Sequence, residues 1–377
     1  MRSFHIVPDE RILDGSCTDV YFQRIEDVLR HEDLNPLVSM EVSAASLPAP
    51  RAVFCGLDDV LTLFEGVAVD LFALPEGSVF YAGEPVVRVT GRYTDFGRLE
   101  TAMLGFLCHA SGIATAAADI KALAGDLPVY SFGSRRQHPA LATMIERAAW
   151  IGGVDGVSNT CAPAGLPLIG TMPHAFVMCH ETPEEAWQAF AAHAPSDVPR
   201  VMLCDTFCDE KREALRAAEL GCAAVRLDTP RSRRGDMRAI LEEVRWELDA
   251  AGYEGVRIFL TGGVSPEDVI SYRDIVDAFG VGGAIANAPV IDFSFDIVEK
   301  EGRITSKRGK RSGPKQIYEL PGGGRKVLPA GQAPPAGATP LLRQYIKGGT
   351  VLAHEEPEAA RKRVQEALRA LQNRETA

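Results

Sequence analysis

The 377 residues, 46% of them hydrophobic, 24% charged and 7% aromatic, exclude a mini-protein and a globally disordered chain. At about 150 residues per domain they predict two to three domains. Forty Lys+Arg against 51 Asp+Glu leave a net charge of −11, which opposes non-specific binding to nucleic acid or anionic lipid, so an anionic substrate needs a local basic site.

Residues 1–118 mix strand-like pieces, Ser78 to Tyr81 and Pro85 to Thr90, with an apolar helical stretch from Gly97 to Ala118 broken by Gly105 and Gly112. They predict an N-terminal α+β domain. From Val129 onward, short β-rich runs alternate with helical patterns, the signal of βαβ units on a parallel sheet. The runs are Val129 to Gly133, Gly156 to Asn159, Leu168 to Met172, Val201 to Thr206, Ala224 to Asp228, Arg257 to Gly262 and Ala278 to Gly282. Helices are predicted over Pro183 to Ala192, Glu210 to Leu220, Asp236 to Ala251 and Pro266 to Phe279. Thr182-Pro183 and Ser265-Pro266 place a capping hydroxyl before a first-turn Pro.

Each run finishes with Gly, Ser, Asn, Thr, Met or Asp, mostly small or polar, at the end that carries chemistry in α/β barrels. The expected fold is α/β, an incomplete (β/α) barrel-like core over 119–290 with a separate α+β domain. Segment 291–377 completes that domain. It reads as a hairpin, Ile291 to Lys300 with Ile304 to Lys310 around Glu301-Gly302, then a Gly/Pro/Ala-rich loop from Pro321 to Pro340 and a helix from Glu358 to Leu371.

Eight cysteines include no C-x-x-C, and Cys204 and Cys208 have no matching second pair, so no zinc is expected; buried packing is their default. The N-terminus has no apolar signal region, and no run approaches about 18 uninterrupted apolar residues. A cytoplasmic protein with reduced thiols and no membrane partner is expected.

The chemistry-bearing residues cluster at the run ends. Thr261-Gly262-Gly263 and Gly280-Val281-Gly282-Gly283 let a backbone approach a ligand closely, and as a pair on the last two strands they point to phosphate binding rather than only to tight turns. Asp205 and Asp228 end consecutive strands; they could hold ribose hydroxyls or a Mg²⁺, or Asp205 could simply cap a helix. Arg226, two residues before Asp228, shares its strand face and needs an anionic or polar partner there. Phe132 can stack a flat ring and Arg135, with Arg136, can clamp a carboxylate or phosphate, although a solvated Arg pair is the commoner arrangement. His174 falls on the reactive face, just past the third run.

The segments TDVYF (Thr18 to Phe22), SFGSRRQHP, GVSNT, GTMPH, CDTF, VRLDT, TGGVSPEDV, GVGGAI and KRGKRSG (Lys307 to Gly313), in this order, resemble the nicotinate phosphoribosyltransferase family in its shorter, archaeal-like form. The resemblance covers nearly the whole chain. It implies a phosphoribosyltransferase fold and transfer from 5-phosphoribosyl 1-pyrophosphate to nicotinate in NAD biosynthesis, giving nicotinate mononucleotide and pyrophosphate, with Mg²⁺ and with ATP as co-substrate. It implies a phosphohistidine at His174, a base stacked on Phe132 with its carboxylate region at Arg135, and an acid-type substrate from the small polar Ser158. It further implies contact of Arg226 and Asp228 with the donor, of Asp205 with ribose or Mg²⁺, and of Gly262, Gly263, Gly282 and Gly283 with the 5′-phosphate. Tyr21 would close the ring's other face from a neighbouring protomer of a homodimer or dimer-based oligomer. Gly282-Gly283 departs from the more usual Gly-Thr, and no Cys follows Cys222, so a Cys-rich tail is absent. Quinolinate phosphoribosyltransferase and a non-catalytic phosphoribosyl or nucleotide sensor are the alternatives.

Overall fold

A computed structural model describes residues 4–233 and 235–375. The chain divides into two compact units, residues 1–115 with 289–377 and residues 116–288.

In the first unit, strand Leu37–Ala44 lies between Pro85–Arg92 and Phe293–Lys300, antiparallel to both, at the heart of a seven-stranded sheet. Strands from both ends of the sequence thus share one sheet. The hairpin after Lys300 turns through Glu301 and Gly302, both at positive φ (48° and 71°), the mirror-image turn that fits the twist of antiparallel strands. Its second arm pairs only over Arg303–Ile304. The predicted loop 321–340 needs correction: Arg325–Pro329 is a strand, antiparallel to Lys315–Glu319. Its flanking glycines and prolines, and its Arg-Lys start, hide a short edge strand.

The helix Tyr93–Ala124 is long and apolar enough by composition to cross a membrane, although charged and polar residues keep its apolar runs short. More than half of its apolar window is buried, and Met103, Leu107, Ile113 and Ala114 are fully so. It is a core helix.

The second unit is built on six parallel strands: β1 (Val129–Ser131), β2 (Gly156–Val157), β3 (Val201–Leu203), β4 (Ala224–Leu227), β5 (Arg257–Leu260) and β6 (Ala278–Val281). Their order is β2-β1-β6-β5-β4-β3, with every pair parallel. The edge strands β2 and β3 do not pair, so the sheet is a half-barrel. The predicted run at Leu168 to Met172 is not a strand; a single bridge from Leu168 to Val157 is all it forms. Pro163, Pro167 and Pro173 remove donors along this stretch and Gly165 and Gly170 loosen it, so no ladder closes the barrel.

Helices α1 (Ala142–Gly152), α2 (His174–Met178), α3 (Glu210–Glu219) and α4 (Pro266–Tyr272) follow β1, the Leu168 segment, β3 and β5. Ser265 and Asp268 form a reciprocal capping box at α4. That helix stops at Tyr272, short of the predicted Phe279, because 278–281 is recruited into β6 and the Asp277 carboxylate accepts the Ile258 N–H at 2.7 Å.

Candidate active site

At the C-terminal ends of the parallel strands lies an open cavity of about 730 Å³. Arg226, on β4, points into it because alternate residues of a strand share a face. Its Nη1 donates to Thr171 Oγ1 at 2.7 Å and its Nη2 to the Met172 carbonyl at 3.0 Å, tying the irregular Leu168 segment to the sheet. The buried Nε has no partner. Burial pulls this guanidinium's pKa down, and the carboxylates of Asp228 and Asp205 oppose the shift.

Asp205 follows β3 and is almost wholly enclosed, its side chain 3% exposed. Its Oδ2 accepts the Asp228 N–H at 2.9 Å, whereas its Oδ1 is buried without a hydrogen bond. Burial first, and Asp228 beside it, push its pKa up to about 6 against the pull of His174. Asp228 is more open; its Oδ1 accepts the Thr261 hydroxyl at 2.8 Å. His174, the first residue of α2, places Nε2 at 3.5 Å from Asp228 Oδ2 and 3.7 Å from Asp205 Oδ1, with Nδ1 at 3.2 Å from the Thr206 hydroxyl. Helix capping is not the role of Asp205, since Asp209 caps α3 by accepting the Arg212 N–H at 3.0 Å.

The loop carrying Asp205 and Thr206 is fixed by Glu213, which belongs to none of the motifs in the sequence. This fully buried carboxylate accepts the N–H groups of Thr206, Phe207 and Cys208 at 3.0, 2.7 and 2.9 Å. An acid on the Ala214, Ala217, Ala218 face of α3 was the available signal.

The glycine turns lie at the ends of the two central strands, between Phe132 and Asp228. Gly262 and Gly263 have φ of +87° and +76°, and a Cβ on Gly262 would fall 2.9 Å from the Asp228 carbonyl carbon. On β6, a Cβ at Gly280 would come within 2.9 Å of the Phe132 ring, so the ring's position depends on that glycine. Phe132 is braced edge-on by Phe259, with centroids 5.9 Å apart. Arg135 and Arg136, both exposed, line the cavity with Ser158, and Gly282 and Gly283 border it. The structure therefore gathers Phe132, Arg135, Ser158, His174, Arg226, Asp228 and the four glycines around one cavity, with Asp205 against His174. Tyr21 is not among the cavity residues. It lies in the first unit, 54% exposed, its hydroxyl donating to Asp19 Oδ2 at 3.2 Å.

For a divalent cation the donor set is sparse: among the described residues no group of three or more His, Cys, Asp or Glu is placed to hold a metal. Two carboxylates, one with an orphaned oxygen, fit a Mg²⁺ that takes most of its ligands from water and phosphate oxygens.

Residues 19–111 match the family described as quinolinate phosphoribosyl transferase, N-terminal domain, and residues 113–296 its C-terminal domain. Nicotinate phosphoribosyltransferase pncB1 of Mycobacterium tuberculosis is 30% identical over 97% of this chain and 92% of its own length. A crystal structure of nicotinate-nucleotide pyrophosphorylase from Pyrococcus furiosus superposes with a TM-score of 0.95 at 46% identity, covering 98% of both chains. That of human nicotinic acid phosphoribosyltransferase does so with a TM-score of 0.75 at 20% identity over 93% of each, a likeness of fold alone.

Proposed function

The chain belongs to the nicotinate phosphoribosyltransferase family and acts in NAD salvage, and from that premise we propose that its transfer is ATP-assisted and runs in the cavity around Arg226, with the residue roles that follow. The observation that carries the proposal is the gathering of these groups around one cavity: an aromatic ring with Arg135 and Ser158, the glycine turns between Phe132 and Asp228, and Arg226, Asp228 and His174.

Nicotinate stacks on Phe132 with its carboxylate toward Arg135, and its ring nitrogen faces C1 of the donor. The N–C1 bond forms as the C1–O bond to pyrophosphate breaks, and positive charge builds on the ribose ring. Asp228, fixed by Thr261, faces that developing charge, with Asp205 behind it. Arg226 lies toward the anionic donor, and the backbone at Gly262, Gly263, Gly282 and Gly283 receives the 5′-phosphate. Asp205 and Asp228 would hold Mg²⁺, which supplies charge neutralisation at the leaving pyrophosphate.

His174 accepts the γ-phosphoryl group of ATP on a ring nitrogen as ADP departs, and later passes it to water. Thr206 orients the ring through Nδ1. A phosphoryl group there adds charge and strong acceptors at the cavity mouth. Tyr21 reaches the base from a second copy of the chain, making a homodimer with shared sites, and the enzyme is cytoplasmic.

Quinolinate is the second reading of the base. It is favoured by Arg136, which lines the cavity beside Arg135 and could meet a second carboxylate, and by the match to both quinolinate phosphoribosyl transferase domains. A non-catalytic sensor is disfavoured by the presence of Arg226, Asp205 and Asp228 together.

The test is a product assay with the donor and Mg²⁺, offering nicotinate, nicotinamide and quinolinate separately, with and without ATP. Nicotinate mononucleotide formed from nicotinate alone and increased by ATP is expected. Product from quinolinate moves the base assignment, and indifference to ATP removes the phosphoryl role of His174. Tyr21→Ala should raise the KM for nicotinate more than that for the donor; an unchanged value removes Tyr21 from the site.

A further inference from the structure

Gly283 borders the cavity without a side chain of its own, and a neighbouring amide stands against the room a Cβ would take. The short helix Gly283–Ala286 ends at Asn287, whose N–H donates to the Gly283 carbonyl at 2.9 Å. Helical side chains lean toward the N-terminus, so residue 287 lies over residue 283, one turn back. A Cβ on Gly283 would accordingly fall 3.2 Å from Asn287 Nδ2. The glycine leaves that nitrogen its place beside the cavity border.

Which end of the amide faces Gly283 is set by the loop after β1. Gln137 Nε2 donates to the Ala286 carbonyl at 3.1 Å and to Asn287 Oδ1 at 2.8 Å. A carbonyl only accepts, so Gln137 must present its NH₂ group here, and the Asn287 atom that meets it must be the oxygen. That leaves Nδ2, with two N–H groups, making no hydrogen bond among the described residues. The loop comes close enough because position 133 is glycine: a Cβ there would fall 2.5 Å from the Gly282 carbonyl oxygen. Helix capping does not call for an asparagine at 287, whose φ of −104° and ψ of 24° lie outside the left-handed region where asparagine stands in for glycine.

We propose that Asn287 is a binding residue for the donor's 5′-phosphate: Nδ2, turned toward Gly283 by Gln137, donates to a phosphate oxygen held at the β6 turn. This rests on the reading that the glycine turns receive that phosphate. It predicts an effect confined to one end of the donor, because the leaving pyrophosphate is placed at Arg226 and the carboxylates.

Competitive inhibition against the donor tests this, with ribose 5-phosphate probing the phosphate end and pyrophosphate the other. Asn287→Ala should raise the inhibition constant of ribose 5-phosphate about 10-fold, as expected for one lost hydrogen bond to a charged oxygen, and leave that of pyrophosphate unchanged. Gln137→Met, which lets the amide turn over, should give a smaller rise of the same selectivity. Asn287→Asp keeps the shape of the side chain and an oxygen for Gln137 but turns only an acceptor toward phosphate. It should raise the constant further, whereas a merely structural role would survive it. Unchanged ribose 5-phosphate inhibition in Asn287→Ala, or equal rises for both inhibitors, overturns the role; should that variant fail to fold, Asn287→Asp decides in the same way. An unchanged constant in Gln137→Met overturns the orienting contact. Gly262→Ala, at the other turn, separates this role from the reading beneath it. A rise there with none in Asn287→Ala removes only Asn287, and no rise in either removes the phosphate from the glycine turns.

Discussion

The two units differ in how several of their buried polar groups are matched. In the first, three enclosed carboxylates are matched: Glu41 with Lys315 at 2.8 Å, Glu84 with Arg325 at 3.0 Å, and Asp296 with Lys307 and Lys310 at 2.6 and 3.0 Å. In the second, Asp205 Oδ1, Arg226 Nε, Ser131 Oγ and both Glu146 oxygens, which cluster toward the C-terminal ends of the parallel strands, are buried without hydrogen bonds, as is Arg245 Nε on the helix after β4. Unpaired buried polar atoms cost stability, so a fold keeps them where a ligand or a neighbouring loop repays them. The difference separates a unit organised for cohesion from one that holds polar groups in readiness for substrate.

The sharpest way to break this comparison is Arg226→Met. It should lower kcat/KM about 1,000-fold through loss of charge facing the donor, measured by nicotinate mononucleotide formation, with a fall in melting temperature no larger than the two lost hydrogen bonds to Thr171 and Met172 bring. A large fall in melting temperature with parallel loss of all binding would make Arg226 a structural residue.

Exchanging one carboxylate in each unit sharpens the contrast. Asp205→Asn should cut kcat about 100-fold while holding or raising the melting temperature at pH 8. Its pKa is raised on folding to about 6, so the stability it contributes is present at low pH and lost as pH rises through that value, and the amide removes the cost. Glu41→Gln should do the reverse. Leaving Lys315 without its partner costs about 3 kcal/mol, seen in denaturant unfolding, while kcat of the folded fraction is unchanged.

A smaller effect is expected at Gly262. At φ +87°, Gly262→Ala strains the backbone and pushes on the Asp228 carbonyl. It should cost about 1–2 kcal/mol of stability and raise the KM of the donor more than that of nicotinate. The smallest concerns Glu100 in the first unit, whose pKa burial and nearby Asp296 push up to about 7 against Lys307. A carboxyl with its pKa raised on folding lends stability that is lost as pH rises through 7. The melting temperature should therefore fall between pH 5 and 8, and Glu100→Gln should flatten part of that slope.

Much of the second unit was legible because parallel strands announce themselves as short β-branched runs ending in small or polar residues, and six of the seven runs are strands. The seventh failed because local composition at Leu168 resembles a strand, while the prolines around it deny the ladder its donors. Phe132, Arg135, Arg226, Asp228 and the glycine pairs were readable from residue type at strand ends. Glu213 was not: it is a lone acid on a helix, and only folding reveals that backbone N–H groups of the loop before that helix converge on it. The strand at Arg325–Pro329 escaped for a related reason, since edge strands carry the charge and proline that mark loops.

By itself the sequence determined most of the parallel strands, the capping of α4, the placement of polar residues at strand ends and the family resemblance, because each depends on residues close together in the chain or on fixed motifs. Only the tertiary structure decided that the barrel stays open, that His174 stands between two carboxylates, and that Arg226 holds the irregular segment through Thr171 and Met172. Those outcomes depend on which hydrogen-bonding groups meet across 30 to 60 residues of chain, a pairing that no local pattern encodes.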